Sequence, residues 1–290
     1  MERITPLRYP GGKTKIYNQI EKIIDTNFTT LPVYVEPFCG GAGLALELLF
    51  NKKVDRLILN DYDPAVYSFW YCVLNKEEEL INLISKVDVT IEEWKKQKEI
   101  YEDQNNHNIL EIGFSFFFLN RCNRSGILKA GPIGGKNQDG KYKINCRYNK
   151  KNLIERIIKI NSLKDRIELY NLDAIEFLKI IKQKNVNNTF IYMDPPYINK
   201  GHELYQNFYS NEKHKTIEES VKKYIESNKW IITYDYDERI KKIYSNYSLF
   251  SFNINYSAGK HKSGDELMIF SETTIVPEEI KNTFLKKETY

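Results

Sequence analysis

Apolar positions along the chain fall into short continuous runs, each followed by a segment of helical period. "VYVEPF" (33–38) reads as a strand, the glycine-rich "CGGAG" as a turn and "LALELLF" as a helix. "RLILND" (56–61) is a second strand, and "PAVYSFWYCVLN" a second helix with Pro64 in its first turn. "RIELYNLD" into "AIEFLKIIKQK" repeats the pattern, as do "TFIYMD" (189–194) and "WIITYD" (230–235) ahead of "DERIKKIYSNY". "LFSFNINYS" and "DELMIFS" read as a closing hairpin. Strands alternating with helices predict an α/β fold with a Rossmann-like, doubly wound mixed sheet and ligands at the carboxyl ends of its strands.

The alternation breaks between about Tyr67 and Lys151. There the chain reads as helices ("EEWKKQKEIYEDQ", "IGFSFFFLN") and then as glycine-bearing loop, in which "NQDGKYKI" carries the Asp-Gly signal of a β-hairpin. Residues 1–66 and 152–290 are therefore expected to form one catalytic domain, and 67–151 an inserted, mostly helical recognition domain with a basic hairpin.

Composition narrows the class. At 290 residues, 41% hydrophobic and 28% charged, the chain is an ordinary globular one. It has no apolar run of membrane-span length and no signal-type N-terminus, which predicts a cytoplasmic protein, nucleoid-associated when acting, with no membrane partner. Four scattered cysteines, without a C-x-x-C pair, fit a reduced compartment and no metal. Net charge is only +4, but residues 120–151 hold nine lysines and arginines against one acid, Asp139. Such a block suits phosphate contact or is a solvated loop. "AGKHKSG" (258–264) is a weaker phosphate candidate, more simply an exposed turn.

Candidate chemistry sits at the strand ends. Glu36 ends the first strand ahead of Phe38, Gly40, Gly41 and Gly43. A dinucleotide fingerprint would need glycine at 46, where Leu46 stands. Asp61 at the second strand end is placed to grip ribose hydroxyls, while Asp63 before Pro64 reads as a helix cap. Asp173 has capping-box spacing and can also face a cofactor. "YPGGKTK" lacks the upstream glycine and strand of a phosphate loop. The fourth strand ends in Asp194, Pro195, Pro196 and Tyr197. Two prolines stiffen the turn and orient acceptors outward. A carboxylate and a carbonyl can hold both protons of a base's exocyclic amino group while an aromatic face stacks on the base, worth about 1–3 kcal/mol. The plain alternative is a stiffened strand end.

"YPGGK", "EPFCGGAG", "NDYDPAVYSFW" and "DPPY", in that order, resemble the Dam-type (D12 class) DNA adenine N6-methyltransferases, which use S-adenosylmethionine; "FFLNRCNRSGI" is similar to the family's segment leading into its DNA-reading hairpin. The resemblance covers nearly the whole chain. It implies cofactor contacts from Tyr9, Lys13, Glu36, Phe38, Gly40, Asp61 and Asp194; Asp173 joins them as a cofactor candidate only from its strand-end position, with capping its simpler role. The resemblance also implies a catalytic turn at Asp194–Tyr197 and DNA contacts from Asn120, Arg121, Arg124 and Lys143. Double-stranded DNA is then the partner, with base flipping, direct methyl transfer and action as a monomer. A cognate restriction endonuclease or defence system is a further partner for this class. The glycine turn departs from the family's F-x-G-x-G, with Ala42 at the later glycine position. Cytosine N4 methylation, an RNA or protein substrate, and a non-catalytic DNA-binding module remain as alternatives.

Overall fold

The computed structural model describes residues 4–8, 12–197, 211–256 and 262–288. The apolar runs become strands β1 (Val33–Glu36), β2 (Arg56–Asn60), β3 (Ile167–Tyr170), β4 (Thr189–Met193), β5 (Lys229–Asp235), β6 (Ser248–Tyr256), β7 (Lys262–Phe270) and β8 (Lys286–Lys287). They form one eight-stranded sheet, ordered β3-β2-β1-β4-β5-β7-β6-β8. The first five strands in that order are parallel, and the β6–β7 hairpin pairs with β5 through an antiparallel β7. Strand order reverses between β1 and β4, which makes their carboxyl ends the switch point where α/β sheets bind ligands.

Strand alternation sorts the core. Tyr34, Phe190, Tyr192, Ile231 and Met268 face one way into a large core; Val35, Ile191, Met193, Ile232 and Leu267 face the other. Both faces are covered, which is why these strands read as continuous apolar runs rather than as an alternation. The first face packs under α1 (Tyr17–Asn27), α2 (Gly43–Phe50) and the helices of the central region.

That central region comprises α3 (Pro64–Asn75), α4 (Glu77–Lys86), α5 (Ile91–Glu102) and α6 (Ile109–Cys122), with α7 (Lys150–Asn161) leading back to the sheet. Asp63 caps α3 through the Ala65 amide, and Asn108 with Glu111 forms a full capping box on α6. Gly113 lets α6 cross α3 closely: a Cβ there would lie 2.7 Å from the Ser68 carbonyl oxygen. Residues of this region share one continuous core with the sheet.

The β-hairpin expected around Asp139 and Gly140 does not form. Between residues 123 and 149 the only ladder contact is the isolated bridge Asn123–Pro132. Gly134 and Gly135 take positive φ, and the chain folds back so that Gly140 donates to the Gly134 carbonyl. The Gln138 side chain takes over bonds a strand partner would make. Its amide nitrogen donates to Ile133 and Gly135 carbonyls, and its oxygen accepts from the Ile144 amide. A local side-chain network has replaced the ladder.

On the second face lie α8 (Ala174–Lys184), α9 (Asn211–Tyr224) and α10 (Glu238–Ile243). Asp173 caps α8 through the Ile175 amide. The chain finishes with α11 (Glu278–Thr283) beside β8.

Candidate active site

Register brings acids from distant parts of the sequence together. Tyr34 pairs with Phe190, so Glu36 and Tyr192 follow on the same face; Tyr192 in turn pairs with Ile231, which sets Asp194 beside Thr233. The antiparallel β7 then places Glu266 opposite Asp235. Into this set a 3₁₀ turn (Lys13–Ile16) inserts the Lys13 side chain, 4% exposed.

The resulting network is continuous. Lys13 Nζ donates to Asp194 Oδ2 at 2.6 Å and to Tyr197 Oη at 2.5 Å. Tyr197 donates its own proton to Glu266 Oε1 at 2.9 Å, and Glu266 Oε2 lies 3.7 Å from Lys13 Nζ. On the other side Thr233 Oγ1 donates to Asp194 Oδ1 at 2.9 Å, and the Tyr192 hydroxyl is 2.9 Å from Thr233. A carboxylate has about four lone-pair sites. Asp194 is thus fixed at both oxygens by these bonds and keeps acceptor capacity on each. Pro195 is buried, Pro196 half-buried, and the Tyr197 ring is 3% exposed.

The glycine turn after β1 meets the end of β2. Asp61 Oδ2 accepts from the Gly40 amide at 2.8 Å and its Oδ1 from the Asp63 amide at 3.0 Å. Burial, and then the charge of Asp63, push the Asp61 carboxyl up to about 7. The Asn60 side chain staples three strand ends: its amide donates to Pro37 and Leu172 carbonyls, and its oxygen accepts from the Leu172 amide. Trp70 donates to the Gly40 carbonyl and Thr5 to that of Gly41. Ala42 itself takes the left-handed conformation at φ 45°, so the departure from the family pattern is accommodated by the backbone. Gly43 leaves room for Thr14, whose methyl would lie 2.9 Å from an added Cβ. Glu36 is buried, with its Oε2 lacking a hydrogen-bond partner among the described residues. Burial first and the Asp194 charge second raise its pKa well above the usual carboxylate range.

The structure therefore brings Lys13, Glu36, Asp194 and Tyr197 into one cluster and Gly40 and Asp61 into an adjoining one, with Phe38 half-buried on the intervening turn. Lys13, expected at the cofactor, is committed to Asp194 and Tyr197. Asp173 is turned to capping α8 and to an ion pair with Lys213 at 2.8 Å. Tyr9 and most of the 258–264 loop lie outside the described residues.

The four residues expected at DNA divide. Asn120 is 1% exposed and clamps the backbone: its oxygen accepts from the Arg8 amide, and its nitrogen donates to the Arg8 and Gly126 carbonyls. Arg121 spends its guanidinium on the carbonyls of Arg147 and Pro6, and burial brings its pKa down to about 10. Both hold the segment after α6 onto residues 6–8, and Asn120 is buried in doing so. Arg124 and Lys143 are exposed; Lys143 reaches back to the Gln138 carbonyl.

Sequence reasoning passed over Glu266 and Thr233. Their signal was partial: each is a buried polar residue two positions along the same sheet face from an apolar core residue, Thr233 from Ile231 and Glu266 from Met268.

Carboxylates at the ends of β1, β2 and β4, beside a tight glycine turn, stand at the switch point of the sheet, where α/β enzymes bind nucleoside-like ligands. The family is more specific than the fold. The chain belongs to the D12 class N6 adenine-specific DNA methyltransferases, matching that family over residues 9–258.

It is 25% identical over 205 residues to the type II methyltransferase M.MjaIII of Methanocaldococcus jannaschii, across 66% of this chain and 68% of that protein. It is 26% identical over 207 residues to the modification methylase StsI of Streptococcus sanguinis, across 67% of this chain but only 28% of that longer protein. Among solved structures, a SAM-dependent methyltransferase from Agrobacterium tumefaciens superposes with a TM-score of 0.42 at 8% identity, over 89% of this chain and 61% of that one. The rRNA methyltransferase AviRa from Streptomyces viridochromogenes gives 0.39 at 10% identity, over 92% and 88%.

Proposed function

We propose that this chain methylates the N6 amino group of adenine in duplex DNA, using S-adenosylmethionine, by flipping the base and transferring the methyl group directly. The observation that carries this reading is Asp194, braced at both oxygens by Thr233 and Lys13 yet keeping lone pairs for an incoming amino group.

The residues present suit the cofactor. Asp61 retains acceptor capacity for two ribose hydroxyls, and the turn at Gly40–Gly43 lets backbone approach closely. The buried Glu36 Oε2, partnerless among the described residues, suits an ammonium or a hydroxyl donor. S-adenosylmethionine supplies a methyl group made electrophilic by its sulfonium. The chain's part is to hold the acceptor nitrogen in line. Asp194 and the Pro195 carbonyl accept hydrogen bonds from the two N6 protons and favour a pyramidal nitrogen, and Tyr197, buried beside them, helps wall the base's site. The proton shed after transfer has Asp194 as its first acceptor. Proximity and fixed dipoles supply much of the acceleration, and extruding the base costs a few kcal/mol, recovered in the pocket.

We assign residues 67–151 to target recognition, with Arg124 and Lys143 on DNA and Asn120 and Arg121 shaping that element. Residues 1–66 and 152–290 form the catalytic part. Among the described residues no helix is long and apolar enough to cross a membrane, and action on DNA fits a cytoplasmic protein. The names of the two curated relatives favour pairing with a cognate restriction endonuclease, and the family resemblance favours action as a monomer.

The test is modified-base sequencing of DNA from a methylation-deficient host expressing this chain beside its Asp194→Ala variant. One N6-methyladenine motif, lost in the variant, is the expected result. N4-methylcytosine, or no DNA modification, overturns the reading.

A further inference from the structure

We propose that Glu266, on β7 and outside every recognised motif, is a positioning residue that locks the Asp194–Tyr197 turn by anchoring both Tyr197 and Lys13. The proposal deepens the function above and rests on that reading for its catalytic consequence.

The turn is held at two points by two neighbouring strands. Its first residue, Asp194, is fixed by Thr233 of β5. Its last, Tyr197, is fixed by Glu266 of β7, the antiparallel neighbour of β5. Tyr197 Oη accepts from Lys13 and donates to Glu266, so its one proton and an acceptor site are used in opposite directions and the ring tilt is set. Lys13 lies between carboxylates at 2.6 Å (Asp194) and 3.7 Å (Glu266), close enough for both to favour its charged form in a buried site. Without Glu266, the phenol proton loses this acceptor and the ammonium loses one of these two counter-charges.

Folding alone gives little reason to keep a carboxylate there. Glu266 is 0% exposed and stands directly opposite Asp235, itself buried, on the same sheet face. Two acidic side chains opposed across a ladder repel when both are ionised, and burying a charge is costly. Local conflicts of this kind concentrate where a side chain has work to do. The polar chain Asp194–Lys13–Tyr197–Glu266 is that work: it turns three separate strand and loop ends into one rigid acceptor site.

The experiment compares wild type with Glu266→Ala and Glu266→Gln in two independent arms. In the first, ¹⁵N-lysine spectra follow the Lys13 ammonium, assigned by its loss in Lys13→Met. A slowly exchanging signal is expected in wild type, a shifted one in E266Q, and none in E266A, where Tyr197 and Lys13 are released. In the second arm, methyl transfer from S-adenosylmethionine to phage λ DNA grown in a methylation-deficient host is measured. E266A should lose about tenfold or more in kcat, the size of a hydrogen bond to a charged group, with KM for the cofactor changed by less than about threefold. E266Q, which keeps an acceptor for Tyr197, should recover most of the loss.

An unchanged Lys13 signal in E266A overturns the proposal, as does wild-type kcat in that variant. Equal losses in both variants that track only their Tm do so too. If E266A fails to fold, E266Q decides: a Lys13 signal identical to wild type refutes the anchor. If wild-type protein leaves λ DNA unmethylated, the proposed function falls, and the spectra still decide whether Glu266 holds Lys13.

Discussion

Thr233→Val removes one of the two braces on Asp194 and almost nothing else. Thr233 is fully buried, and valine matches its shape, so the sheet keeps its packing. What disappears is the 2.9 Å bond to Asp194 Oδ1, together with the partner 2.9 Å from the Tyr192 hydroxyl. A hydrogen bond to a charged group contributes about 1.5–3 kcal/mol. Lys13 still holds Oδ2, so the carboxylate stays in the site but is free to pivot about that single contact. If Asp194 must meet the amino group in one orientation, most of the loss appears in the transition state. At about 1.36 kcal/mol per tenfold, kcat then falls by roughly 10- to 150-fold. KM for S-adenosylmethionine should stay within about threefold, because the bond is not part of the Asp61 side of the site. Thr233→Ser keeps the hydroxyl and should retain most activity. The assay is methyl transfer to λ DNA at saturating cofactor, with thermal unfolding measured alongside. Wild-type kcat in T233V at unchanged Tm would refute the idea that a braced Asp194 is what the site provides.

Asp61 predicts a pH dependence. On the proposed reading ribose hydroxyls donate to its carboxylate form, and its pKa stands at about 7. Kd for S-adenosylhomocysteine should be flat above that pH and rise by up to about tenfold per unit below it; a flat calorimetric profile from mildly acidic to mildly alkaline pH rules this out. The sign for stability is opposite to that of a salt-bridged acid. The unfolded chain releases this proton near about 3.9, the folded one at about 7. The native state therefore binds more protons across that window and loses stability as pH rises through it, and Asp61→Asn should show a smaller loss. Gly113→Ala should destabilise by roughly 1–3 kcal/mol in denaturant melts, since its Cβ meets Ser68 backbone at 2.7 Å. A Tm equal to wild type would show that α6 and α3 have room. Arg124→Ala and Lys143→Ala should each lower the slope of log Kd for DNA against log salt by about 0.9 for every phosphate the side chain neutralises, leaving cofactor affinity unchanged; unaltered slopes remove them from the interface.

Local chemistry made the sequence legible where a function depends on neighbours in the chain. Asp63 before Pro64 had to cap α3, and "DPPY" after an apolar strand had to be a stiff, acceptor-bearing turn. The strand–helix alternation implied the doubly wound sheet, because a buried parallel strand needs an unbroken apolar run whatever its partners are. Residues 123–149 show the limit of such reasoning. An Asp-Gly pair marks a turn but not what flanks it, and Gln138, folding back on Gly135, took the hydrogen bonds a hairpin would have used. Asn120 and Arg121 looked like DNA readers by charge and motif. Only the path of residues 6–8 past α6 showed that both also bond to distant backbone carbonyls.

By itself, then, the sequence determined the fold class and the residues at its strand ends, since each follows from local period and turn chemistry. The tertiary structure decided who touches whom. Lys13 and Asp194 are 181 positions apart, and Tyr197 and Glu266 are 69. Pairs at such separations are set by strand order and register, and no window of sequence contains both partners.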